Sequence, residues 1–154
     1  MPASAEAYQL LELLTRYQTP AILMAAHNLG VFAALGEGPA SVPELAGRLG
    51  VPERSLGILM RACAALGLLS CTAERFANGP LAAETLVPGS AGYVGRLVDK
   101  EAFFYRSWSR LADCVRHDSA DLAPFPIRVR SDPLTARNFL LALDDIAALF
   151  GGGF

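Results

Sequence analysis

With 154 residues, 53% of them hydrophobic and 18% charged, the chain is the size of one domain and apolar enough to offset its ordering entropy, which excludes a disordered polypeptide. A formal net charge of −2 leaves no electrostatic footprint for a polyanion, and the apolar surplus points instead to surface destined for a partner. The N-terminal stretch carries Glu6 and Glu12 where a leader peptide is basic, and no run of 18 apolar residues occurs, so the expected setting is the cytoplasm with no membrane contact.

The first predicted helix runs from Ser4 to Tyr17, and its Tyr8, Leu10, Leu11, Leu13, Leu14 and Tyr17 cover much of the helix circumference. A terminal helix this apolar needs something to cover it. Thr19 followed by Pro20 reads as an N-cap with proline at the first helical position, opening a second helix through Ile22, Leu23, Ala26 and Leu29 to a stop at Gly30. VFAAL, residues 31–35, is a further short helix, closed by the breakers of GEGPA. Ser41 and Glu44 have the spacing of a capping box, so a helix starts at 41 or 42, places Leu45 and Leu49 on one face and ends at Gly50. Pro52 opens the next helix, in which Leu56, Leu59, Met60, Cys63 and Leu66 recur at three- and four-residue steps until Gly67. LLSCT and RFA, separated by Ala73 and Glu74, pair as a two-stranded wing.

Beyond the NGP turn at 78–80 come a short helix, LAAETL, and a VPGS turn. A long helical pattern from Gly92 to Val115 then carries Tyr93, Leu97, Phe103, Phe104, Tyr105, Trp108 and Leu111. DLAPFPIRVRSDP has three prolines and no helix interior, Asp132 and Pro133 restart a last helix through Phe139, Leu143, Ile146 and Leu149, and GGGF frays at the end. Cys63, Cys71 and Cys114 lack metal or CxxC spacing and read as buried reduced thiols.

Helix, turn, helix and wing between residues 41 and 77 are the grammar of a DNA reader, so a small winged-helix transcriptional regulator is the alternative reading. Base edges and phosphates are read by arginine, lysine and amides. The second helix offers only Arg54 and Arg61, the wing a lone arginine, and the one lysine, Lys100, lies far from the motif. Nucleic acid is therefore not the expected partner.

The order ILMAAHNLGVFAAL, PELAGRLGVPERSLGILMRACAALGLL and RFANGPLAAETLVPGSAGY, followed by an aromatic helix with Trp108 and Leu111 in a W-x-x-L pair, resembles the N-terminal dimerisation domain of S-adenosylmethionine-dependent O-methyltransferases of the bacterial polyketide and plant caffeate type. The likeness covers roughly residues 8 to 145. It implies a mainly α fold, a winged-helix-like helical domain with a small two-stranded β wing, in which the motif packs rather than reads DNA and its helices intertwine with a second protomer. Residues 1–150 would form that domain and 151–154 a flexible tail. Tyr8, Leu11, Leu14 and Tyr17 become the candidate homodimer interface.

The resemblance further implies that the aromatic helix and the helix after it form one wall of an acceptor pocket. Phe103, Phe104, Trp108, Phe139 and Leu143 are then the candidates for contact with a flat aromatic ligand, suited by stacking and apolar enclosure. The family's methyl-donor site sits in a Rossmann-like domain, in which a strand leads to a glycine-rich loop. LFGGGF is preceded by no β-run, so S-adenosylmethionine is expected only if a catalytic domain is supplied, and no catalytic, cofactor or metal residue is assigned here. His27 and His117 read as surface or capping residues. The expected role is dimerisation and substrate enclosure in aromatic secondary metabolism, with a full-length methyltransferase or other pathway enzyme as a further possible partner.

Overall fold

The computed structural model describes residues 4–118 and 133–151. The predicted loop over 121–131 and all of the tail beyond Gly151 lie outside the described residues. The chain divides into two compact units, one up to Ala83 and one from Glu84, and each is described by itself. The fold is mainly helical with one antiparallel hairpin.

In the first unit, α1 (Ala5–Thr15) is capped by the Ser4 hydroxyl, which accepts from the Ala7 N–H at 3.3 Å. α2 (Gln18–Asn28) starts earlier than the Thr19–Pro20 pair suggested, with Tyr17 as N-cap. Pro20 is tolerated inside the first turn because the N–H it lacks is one that no helical carbonyl would have accepted. Gly30, with φ +79°, turns the chain into α3 (Val31–Gly36). α4 (Val42–Leu49) carries the full capping box: Ser41 N–H donates to a Glu44 carboxylate oxygen at 2.7 Å, and the Glu44 N–H reaches back to Ser41 Oγ. Gly50, at φ +66°, ends α4 in the left-handed region that favours glycine.

α5 (Glu53–Ala65) follows Pro52 and buries Leu56, Met60 and Cys63 of its predicted stripe, while Leu59 is half-buried and Leu66, the C-cap where the helix ends, is exposed. With Phe32, Val31 and Leu35 of α3 and Leu45 of α4, the three buried side chains form the core of the unit. Each such side chain contributes about 2 kcal/mol on removal from water. The hairpin pairs β1 (Leu69–Thr72) with β2 (Arg75–Asn78) in the register Leu69 to Asn78 and Thr72 to Arg75. Its two-residue turn holds Ala73 and Glu74 at φ +49° and +61°, which matches the right-handed twist of the strands. Phe76 is buried, and its backbone also exchanges two hydrogen bonds with Ala40, at 2.8 and 2.9 Å. Of the three cysteines only Cys63 is buried: Cys71 lies exposed on β1 and Cys114 is half-buried. The wing strand has a solvent face, which the flanking apolar residues did not reveal.

At the junction of the units lies α6 (Pro80–Thr85). In the second unit, Ser90 Oγ donates to the Glu84 and Val87 carbonyls and closes the VPGS turn, with Gly89 at φ +90°. The predicted helix over 92–115 is two helices, α7 (Gly95–Trp108) and α8 (Leu111–Arg116). The break has a local cause: Ser109 Oγ donates to the Arg106 carbonyl at 2.8 Å, and Arg110, at φ −105° and ψ 11°, leaves helical geometry. The final helix, α9 (Pro133–Gly151), packs along α7. No helix among the described residues is long and apolar enough to cross a membrane.

Candidate functional site

Two faces carry the residues singled out by sequence. The first is α1, which buries no residue at all: Tyr8, Leu11 and Leu14 are 55–61% exposed, Leu10 and Leu13 join them, and Tyr17, the N-cap of α2 just beyond its end, is 55% exposed. The apolar side chains spread around the helix, so no single stripe of α1 is spent on its own unit. The helix stands as a free apolar surface of the kind that marks a protein–protein contact.

The second face lies on α7 and α9. Phe103 and Phe104 are half-buried and meet edge to face, ring centroids 5.5 Å apart and planes at 87°. Arg106 lies over the Phe103 ring and Lys100 over the Phe104 ring, 5.9 and 5.6 Å from the centroids. Trp108 ends α7 with 68% of its surface exposed. On α9, Phe139 is half-buried and Leu143 exposed. The two helices thus bring the five candidates into one unit, with each retaining some accessible surface.

The same unit contains a pair that sequence reading missed. Among the described residues Asp145 is the one polar side chain in the buried set, at 4% exposure. Arg96 faces it with its guanidinium edge: Nε lies 3.1 and 3.2 Å from the two carboxylate oxygens, and Nη2 donates to Oδ1 as well. Hydrogen bonding to that carboxylate holds the Arg96 guanidinium further above its usual pKa. A legible signal existed, since Asp145 falls on the stripe of Phe139, Ala142 and Ile146, where an acid needs a buried counter-charge. Asp144 points to solvent, as adjacency on a helix requires. The pair borders a cavity of about 370 Å³ also lined by Gly92, Tyr93, Val94 and Asp144. Burial and the nearby Asp99 carboxylate push the Tyr93 phenol up. None of the five aromatic-wall candidates lines this cavity.

Arg75, the wing arginine, donates to Glu44 at 3.2 Å and to the Pro39 carbonyl at 2.6 Å, and so is committed to its own unit. His27 is half-buried in the last turn of α2, and His117 is exposed as the C-cap of α8. No group of three His, Cys, Asp or Glu residues among those described is placed to hold a metal.

An O-methyltransferase dimerisation-domain model matches residues 11–88, half of the chain. The chain belongs to that family. Over 105 residues it is 43% identical to 3-hydroxy-5-methyl-1-naphthoate 3-O-methyltransferase of Streptomyces sahachiroi, covering 68% of this chain and 30% of that protein. It is 33% identical over 117 residues to the N,N-dimethyltransferase OxyT of Streptomyces rimosus, covering 75% of this chain and 34% of that protein. An O-methyltransferase family protein from Burkholderia thailandensis superposes with a TM-score of 0.82 at 27% identity, over 96% of this chain and 44% of that one. Human N-acetylserotonin methyltransferase, solved with S-adenosylmethionine, has the same fold at a TM-score of 0.80, 24% identity, over 98% of this chain and 48% of its own.

The dimerisation-family chain thus spans about a third of the curated relatives it matches. The described strands form an antiparallel hairpin, whereas a nucleotide-type cradle needs a strand running through a glycine-rich turn into a helix N-terminus.

Proposed function

We propose that this chain is the dimerisation and acceptor-enclosing part of an S-adenosylmethionine-dependent methyltransferase acting on a small aromatic molecule in secondary metabolism of the polyketide type, in the cytoplasm. The observation that carries the reading is α1, an apolar helix with no buried residue in a family named for dimerisation. A second copy of the chain is the occupant, and residues 1–150 act as one winged-helix dimerisation domain. Its motif works as a packing unit, consistent with the engagement of Arg75 by Glu44 and Pro39.

In this reading Phe103, Phe104, Trp108, Phe139 and Leu143 supply one apolar wall for the acceptor. Support comes from their partial exposure and from the naphthoate acceptor in the name of a 43% identical relative. Methyl transfer draws its donor site from elsewhere than the described helices, and the chain alone is not catalytic.

Sedimentation equilibrium tests the carrying step. The wild-type chain is expected as a dimer at micromolar concentration, and Leu11→Asp with Leu14→Asp as soluble monomer, because carboxylates without partners are costly to bury. A monomeric wild type, or a double variant that dimerises with unchanged affinity, would overturn the reading.

A further inference from the structure

We infer that the Arg96–Asp145 pair fixes the register of α9 along α7, and so sets the spacing between the aromatic side chains the two helices carry. For its consequence, though not for the register itself, this rests on the acceptor-wall reading above. Among the described residues the fully buried apolar positions of the two helices are Gly95 and Val98 on α7 and Ala142 on α9, which are small or short, while the larger Leu97, Leu141 and Ile146 are half-buried. Apolar contact is non-directional, so these side chains do not by themselves single out one position against a slip of one helical turn, about 5.4 Å.

The ion pair is directional. Nε and Nη2 of Arg96 form a planar fork that meets both Asp145 oxygens in one relative position of the helices. The carboxylate is buried, so any other position takes it from the guanidinium fork that satisfies both of its oxygens. The next cation on α7, one turn along, is Lys100, and its ammonium is engaged: it donates to Glu101 at 2.7 Å and lies over the Phe104 ring. A one-turn slip would set Asp145 against that point charge, take Lys100 from Phe104 and offer no fork. With Asp145 buried and Arg96 half-buried, the pair confers specificity of packing rather than net stability, since apolar replacements of similar volume for such pairs are often neutral or stabilising. The consequence falls on the wall: Phe103 and Phe104 lie two turns beyond Arg96 on α7, while Leu143 and Phe139 lie within two turns before Asp145 on α9. One pair therefore determines how far apart the two halves of the wall stand.

The test compares the wild-type chain with Arg96→Met/Asp145→Leu and with Arg96→Lys. Two readouts are used: nuclear Overhauser contacts between α7 and α9 side chains, and quenching of the sole tryptophan, Trp108, by 3-hydroxy-1-naphthoate. The double variant is expected to keep its helical content and thermal midpoint while its interhelix contacts shift or split into more than one set. Naphthoate affinity falls about tenfold, the size of one displaced aromatic contact. Arg96→Lys, which keeps the charge and loses the fork, behaves likewise. Native contacts in either variant would overturn the register assignment, and so would a double variant that fails to fold, because the pair would then act through stability. Shifted contacts in the variants together with no naphthoate binding by the wild type would uphold the register and remove the acceptor-wall reading instead.

Discussion

Glu44 is the residue on which three separate interactions converge. Its carboxylate accepts from the Ser41 backbone and hydroxyl, and from Arg75 across the sequence, and these hydrogen bonds, the Ser41 backbone first, lower its pKa from 4.5 to about 2. Because the folded-state pKa is depressed, the contribution is complete above pH 4.5 and is lost as pH falls towards about 2. Urea unfolding of wild type and Glu44→Gln is expected to differ at neutral pH and to converge as pH drops through that window. A gap that stays constant across it would show that Glu44 acts by packing. Burial has the opposite effect on Cys63, whose thiol is pushed up to about 11. That thiol is inert core, in keeping with its place on the apolar face of α5.

Among the elements, the hairpin depends most on one close approach. A Cβ at Gly79 would lie 2.6 Å from the Gly67 carbonyl oxygen and 3.1 Å from that of Leu68, both backbone atoms, while the Gly79 N–H donates to Leu68 at 2.9 Å. The side chain of the preceding residue, Asn78, donates to the Phe32 carbonyl at 2.9 Å and anchors the exit of β2 on α3. Gly79→Ala is expected to destabilise the chain by about 2 kcal/mol or more, because neither carbonyl can retreat without opening the hairpin. Thermal or denaturant unfolding reads this directly, and a near-neutral Gly79→Ala would mean that the α5–β1 corner is loose. The elements themselves were largely visible in the sequence. Ser41 with Glu44, Gly30, Gly50 and Gly67 act within a turn of where they stand, and so the boundaries of α4 and α5 could be read from them. The break between α7 and α8 escaped because the hydrophobic pattern continues through Ser109 and Arg110 while the backbone does not.

At the scale of the molecule, the chain belongs to a dimerisation family and carries an apolar helix that its own unit does not cover. Association with a second copy would couple folding to protein concentration. The thermal midpoint of the wild type is therefore expected to rise with concentration, and that of Leu11→Asp/Leu14→Asp to be independent of it. A concentration-independent wild type would place the stability of the chain within one copy.

Features enforced over three or four residues were legible before folding: the capping box, the stop glycines, the apolar faces of α4 and α5 and the alternation of the hairpin. With the order of these elements the sequence also carried the resemblance to the methyltransferase dimerisation domain. Which of the apolar residues are core and which are surface depends on the packing of the folded chain. Leu11 and Leu56 are both leucines on amphipathic or apolar helices, and only packing leaves one 55% exposed and the other 2%. Packing also decided the pairs, Arg75 with Glu44 across 31 residues and Arg96 with Asp145 across 49. Charge partners so far apart in the chain meet only once folding has brought their helices and strands together, so no local pattern can name them.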